Sequence, residues 1–364
     1  MEAVSKKRFD YIDVAKVIGI ILVTYAHIKE KGHDIALIYS FHLPLFFIIA
    51  GITLSVKSNP GDFIMKKIRG YLIPILFLDL LAFLVDIVFM LCLNQGANIT
   101  PEFIFGFFAN VANQNRFYPI WFVVALLVSV LFSYAIVKAC KEKVWIVAIV
   151  AAFVLAFSIL YNKFYNARLA WNIDVAFFGT FFVLLGWIFK NIEDRIHLFL
   201  KTRLISLGFA VGFITIGMTL ACISKYNFDR YLEMWGSQYE IYYLVIPAAV
   251  FNGFGFIFLS NTIANRYVGQ FARANLIILT LQQGLGMRLW KEFILKDYHI
   301  QIVNNGYPIA QNVLYALTGT LFTLIFSFGI YTLIMLTPLA YCLNQKPILN
   351  KLKDKNFGKD LESY

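Results

Sequence analysis

The chain has 364 residues, a formal net charge of +11, and a composition that is 60% hydrophobic and 15% charged, with a mean hydropathy of +0.71. Soluble domains run near about 45–50% apolar, and here runs of roughly 17 to 25 apolar residues, the length that crosses a bilayer, recur along almost the whole sequence, which leaves no room for a sizeable soluble domain. The positive charge is spread over short loops with no basic soluble module to present it, which argues against nucleic acid as a partner.

Taken in chain order, hydropathy predicts spans at 10–28, 35–56, 71–93, 119–138, 144–160, 173–190, 204–223, 241–263, 274–290 and 313–343. The fold class is therefore all-α, a polytopic integral membrane protein of about ten transmembrane helices. "MEAVSKKRF" before the first span resembles the start of a signal peptide, but no small-x-small site follows, so an uncleaved first helix is expected. Residues 99–117 read as an interfacial or re-entrant piece, and the short ninth span contains "QQGLGMR". With the N-terminus inside, the cytoplasmic segments hold 21 Lys and Arg against 9 in the opposite loops. That asymmetry puts both termini in the cytoplasm and makes 344–364 a basic cytoplasmic tail behind a membrane domain of residues 1–343. Cys92, Cys140, Cys222 and Cys342 stand singly, with neither metal-ligand nor redox spacing.

The first helix, "YIDVAKVIGIILVTYAH", carries Lys16 and His27. Eleven residues advance about 16 Å and make about three full turns, so the two share a face, half a bilayer apart, with Ile20 and Val23 between them. Ionisable residues within a span cost of order 2.5–3.5 kcal/mol and face a partner or a cavity. One deep cavity is expected along this face, with Lys16 either paired to Asp13 three residues earlier or snorkelling to the surface. The second span, "LIYSFHLPLFFIIAG", returns inward and puts His42 at a depth close to that of His27.

These residues resemble the first-helix signature of the membrane-bound acyltransferase family 3, a basic residue, ten residues and then His. The resemblance continues in order through "IYSFHLPLFFIIAG", "FIMKKIRGYLIP", "YPIWFVVALL" and "AWNIDVAFFGTFFVLLG", and looks closest to the fucose 4-O-acetylase-like branch. It covers nearly the whole chain. The sequence departs from the family pattern at Lys16, where Arg is common, at Ala50, where Ser is common, and at Gln282 or Gln283, where a late-helix His stands.

The resemblance implies transfer of an acyl group, usually acetyl from cytoplasmic acetyl-CoA, to a hydroxyl of a sugar or other envelope acceptor. It implies a bacterial cytoplasmic membrane, acyl-CoA as donor substrate with no tightly bound cofactor and no metal, and a glycan or lipid-linked saccharide acceptor. Lys16, Lys66, Lys67 and Arg69 are candidates for the donor phosphates, although taken alone the last three are better explained by positive-inside topology. His27 would act as general base or as transient acyl carrier, with Lys16 and His42 beside it in the catalytic set. Asp13, Trp121, Asp174 and Gln282 are candidates for the acceptor, and Asp174 serves equally as a helix cap. A transporter or flippase for an anionic or glycan substrate would also use ten spans and a basic cavity. In a scaffold, the same polar groups would only specify helix packing.

Overall fold

The computed structural model describes residues 2–29, 33–92, 120–165, 167–236, 239–265, 267–268, 271–291 and 309–348. The expected piece at 99–117 and most of the tail lie outside the described residues. Among the described residues, nine helices are long and apolar enough to cross a membrane, and no β-strand forms. The protein is an all-α polytopic integral membrane protein.

The helices are α1 (Glu2–Lys29), α2 (His33–Tyr39), α3 (His42–Ile52), α4 (Pro60–Lys67), α5 (Ile73–Cys92), α6 (Ile120–Ala139), α7 (Val144–Phe164), α8 (Ile173–Ile196), α9 (Arg203–Phe228), α10 (Tyr242–Thr262), α11 (Asn275–Leu281) and α12 (Ile309–Met335). Short α2 and α3 together make the second span, and α4 continues through a wide π-turn, Ile68–Leu72, into α5. The start of α4 is set locally. Asn59 caps it by accepting from the Asp62 N–H at 2.8 Å, and Pro60 occupies the first turn, where its missing N–H costs nothing. Thr202 caps α9 in the same way, accepting from the Ile205 N–H.

Burial separates the inner helices from the lipid-facing ones. In the apolar window at Asp34–Ile52, 83% of residues are buried inside the protein, against 17% at Val144–Phe164. On α7, Phe153 and Phe164 are each 70% exposed, which suits a face whose solvent is hydrocarbon. At the centre α3 crosses α8 with backbones nearly touching. A Cβ on Gly51 would lie 1.9 Å from the Val183 carbonyl oxygen, and one on Gly186 would lie 2.1 Å from that of Ile48. Two glycines facing each other's helix let packing forces act over the shortest distance, which drives association where no hydrophobic effect separates helix from lipid. Ser129 on α6 adds a bond to this core, its hydroxyl lying 3.0 Å from the Ala176 carbonyl of α8. Helix α1 lies against α3, α10, α11 and α12.

The expected ninth span is not one regular helix. A tight turn, Phe271–Ala274, leads into α11, a π-turn follows at Gln282–Gly286, and a last helical turn covers Met287–Leu289. The two glycines of "QQGLG" lower helix propensity there. Gly286 also lets the segment approach α12, since a Cβ on it would come within 2.6 Å of the Thr323 side chain.

Candidate active site

His27 stands on the last turn of α1, half-buried. The Gln283 side-chain amide reaches it from the π-turn, with Nε2 2.9 Å from His27 Nδ1. The Tyr39 hydroxyl approaches the same nitrogen at 3.4 Å. Tyr39 ends α2, and its ring stands edge-on to both imidazoles, with centroids 6.2 Å from His27 and 4.9 Å from His42. The two histidines thus meet through a tyrosine. His42 is 3% exposed, and its Nδ1 donates to the Ile38 carbonyl at 3.0 Å, which leaves the lone pair of the neutral ring on Nε2.

Neighbouring residues fix this arrangement. Thr24, one turn before His27 on the same face, donates to Gln282 Oε1 at 2.6 Å. Consecutive glutamines point about 100° apart on a regular helix; the wider π-turn lets Gln282 and Gln283 address two positions of α1 on one face. Gln282 is fully buried, and its Nε2 has no hydrogen-bond partner. Lys29 and Tyr25 both donate to Asp34 Oδ2, at 2.6 and 2.8 Å, and tie α1 to the start of α2. Tyr231, from the connection after α9, lays its ring 5.7 Å from that of Tyr39. Burial, and then the charge of Glu233, push the Tyr231 hydroxyl above its ordinary pKa, so it stays protonated at neutral pH.

A cavity of about 260 Å³ opens toward the other end of α1. It is lined by Lys16 and Ile20 on α1, Phe46 and Thr53 of the second span, Tyr71 of the first π-turn, Phe122 on α6, and Arg273, Asn275 and Leu279. Lys16 pairs with Asp13 at 3.0 Å. Asn275 donates to the Lys16 carbonyl at 2.9 Å, while its Oδ1 is buried without a partner. On α1 the lining stops at Ile20. Val23, 1% exposed, comes between Ile20 and His27 along α1, and neither Val23 nor His27 lines this chamber. The single deep cavity expected along this face thus reaches on α1 only from Lys16 to Ile20; the chamber at Lys16 is the lower chamber, and the surroundings of His27 are the upper site.

The other sequence candidates take distinct places. The ammonium of Lys67 lies over the rings of Phe63 and Tyr71, 5.2 and 5.4 Å from their centroids, which brings it against the chamber wall. Lys66 and Arg69 are exposed on the same stretch and do not line the chamber. Trp121 packs edge-on against Phe122, one residue from the lining. Asp174 is 5% exposed and accepts from the Leu169 N–H at 3.2 Å, which fastens the turn into α8, where Trp171 and Asn172 take left-handed backbone angles. Sequence reasoning missed Tyr39 and Arg273. Tyr39 lies three residues before His42, a spacing that marks a shared helical face; Arg273 was counted only as a loop charge.

Chemically, the upper site offers an imidazole oriented by an amide and a phenol, a second neutral imidazole nearby, and partial shelter from solvent. The lower chamber offers two cations and amide groups between aromatic walls. Searches of curated proteins and of solved structures find no match for the chain. The model of the acyltransferase domain of acyltransferase family 3 matches residues 9–332, nearly the whole chain, and the protein belongs to that family as a membrane acyltransferase.

Proposed function

We propose that the protein is an O-acyltransferase that moves acetyl from cytoplasmic acetyl-CoA to a sugar hydroxyl of an envelope polysaccharide or lipid-linked glycan. The observation that carries this reading is the pairing of an oriented His27 with a cation-bearing chamber further down the same helix. Lys16 and Arg273, with Lys67 over Tyr71, suit the phosphates of coenzyme A. The pantetheine arm, a little under roughly 20 Å long, matches the rise of about 16 Å from Lys16 to His27. Movement of Val23 would join chamber and site.

A sugar hydroxyl is a poor nucleophile at neutral pH. The neutral His27 ring takes its proton as the oxygen attacks the thioester carbonyl, a contribution of about 10²–10⁴ in rate. The tetrahedral intermediate collapses with loss of the C–S bond, and the imidazolium returns the proton to the departing thiolate. The alternative is a two-step route in which His27 attacks the thioester, releases the thiol and passes the acyl group to the acceptor. Steady-state patterns separate the two, since only the second gives ping-pong behaviour. Backbone N–H groups, and His42 through a water bound at its Nε2, are the candidates for holding the oxyanion.

Release of free coenzyme A thiol by purified protein in nanodiscs, with a crude glycan fraction as acceptor, tests the reading. His27→Ala is expected to cut turnover by about 10²-fold or more while the protein stays monodisperse; full turnover in that variant contradicts it. The buried polar groups and basic chamber also suit a transporter of an anionic or glycan substrate. Acceptor-dependent movement of solute across liposomes without acetyl-CoA would favour that reading.

A further inference from the structure

We propose that Gln282 is a catalytic residue: its side-chain Nε2–H donates to the carbonyl oxygen of the acetyl thioester and to the oxyanion formed there, while Asn275 holds an amide of the donor's arm lower down. The inference rests on the acetyl-CoA reading above and goes beyond it by assigning a side chain to the reacting carbonyl.

Two buried amides on one element carry it. Gln282 is 0% exposed, and its Nε2, with two hydrogens to give, has no partner among the described residues. Asn275, seven residues earlier, gives its Nδ2 to the Lys16 carbonyl at 2.9 Å and leaves its Oδ1 buried without a donor. Buried polar atoms of this kind are uncommon and call for a ligand or a functional reason. Their order along the molecule supplies one. Segment 271–291 follows α1 in parallel: Asn275 meets Lys16, Leu279 and Ile20 both line the chamber, Gln282 meets Thr24, and Gln283 meets His27. Gln282 therefore stands one turn beyond the chamber lining and directly before the His27 level.

Thr24 sets the orientation of the Gln282 amide. Its hydroxyl has one proton and lies 2.6 Å from Gln282 Oε1 and 2.8 Å from the Ile20 carbonyl. That carbonyl already accepts the Thr24 backbone N–H within α1, so the proton serves Oε1 and Nε2 is turned away from Thr24. A thioester carbonyl only accepts, which suits Nε2; a secondary amide N–H donates, which suits Asn275 Oδ1. Seven helical residues rise about 10.5 Å. In coenzyme A, eight bonds separate the amide nitrogen further from sulfur and the thioester carbon, about 10 Å when extended. As the acceptor oxygen bonds to that carbon, the C=O pair moves onto oxygen and the Gln282 bond strengthens. When the C–S bond breaks, the pair returns, and the thiolate leaves with the proton taken from the hydroxyl. A donor whose bond is stronger to the oxyanion than to the neutral carbonyl raises kcat more than it improves binding.

Infrared spectra of carbonyl-labelled [13C]acetyl-CoA, bound to purified protein in nanodiscs without acceptor, read this hydrogen bond without turnover. The thioester band is expected at lower frequency in wild type than in Q282M, which keeps the chain length and removes the donor. In Q282M, kcat should fall by about 10²–10³-fold with KM for acetyl-CoA nearly unchanged; in N275A, KM should rise by roughly two- to tenfold, the worth of one neutral hydrogen bond. A fall in kcat with the band still lowered would make Gln282 merely structural and overturns the proposal. So does a wild-type band at the position of an unbonded thioester, a result that needs no variant. If Q282M does not fold, Q282E, of the same length and without the N–H, takes its place. Absence of any bound thioester band in wild type refutes the acetyl-CoA reading itself, whereas a bound band that the Gln282 variants leave in place refutes the Gln282 assignment alone.

Discussion

Tyr39 packs edge-on to both histidines, and its hydroxyl lies 3.4 Å from His27 Nδ1. Tyr39→Phe keeps the ring between the imidazoles and removes only the hydroxyl. A net hydrogen bond is worth about 0.5–1.5 kcal/mol, so a fall in kcat of roughly three- to tenfold is expected, with a larger one in Tyr39→Ala; equal kcat in all three proteins would deny the tyrosine a role. In the lower chamber, Lys16→Met and Arg273→Met should each raise KM for acetyl-CoA by at least about tenfold, since a charge-assisted bond to a phosphate contributes about 1.5–3 kcal/mol. Initial-rate kinetics in donor concentration check this, and a pure kcat effect would place those cations elsewhere in the cycle. The sequence made Lys16 and His27 visible because ionisable residues stand out in an apolar run. Tyr39 did not stand out, because tyrosines at the ends of spans are common for reasons of interface anchoring.

At the scale of the element, two features decide the architecture, the α3–α8 crossing and the broken segment at 271–291. Gly51 and Gly186 bring two backbones together, and no side chain can yield where the obstacle is a carbonyl oxygen. Gly186→Leu is expected to destabilise the protein by at least about 1–3 kcal/mol, the usual range for overpacking. A lowered midpoint of thermal aggregation in detergent checks it, with Gly212→Leu as control because nothing lies within 4 Å of that glycine's Cβ position. An equal midpoint in both would contradict the close crossing. Hydropathy was enough to find the long helices, since crossing hydrocarbon demands length and apolar composition and little else. It read 274–290 as one span, because a π-turn inserts one residue per turn without changing composition. Which of the two adjacent glutamines faces His27 was equally hidden: that depends on the local winding, which hydropathy does not carry.

For the whole molecule, the described helices and the broken segment together bear on topology. Among the described residues, the nine long helices and segment 271–291, if it too crosses, make an even number of crossings. We propose, from the excess of Lys and Arg in alternate loops, that both termini lie in the cytoplasm. Introduced cysteines report this: one at Glu142, between α6 and α7, should resist a membrane-impermeant thiol reagent in intact cells, and one at Asp229, after α9, should react. The reverse pattern would invert the chamber and the upper site relative to the cytoplasmic donor.

The central claim is that the protein transfers acetyl to an envelope hydroxyl and needs His27 to do so. Its most direct test is transfer of radiolabel from acetyl-CoA into the glycan and glycolipid fractions of membranes containing this protein, beside membranes carrying equally expressed, folded His27→Ala. Label that enters one of those fractions and requires His27 is the predicted result. Label that enters equally with and without His27, or no label in either fraction while the protein moves a glycan across liposomes, would contradict it.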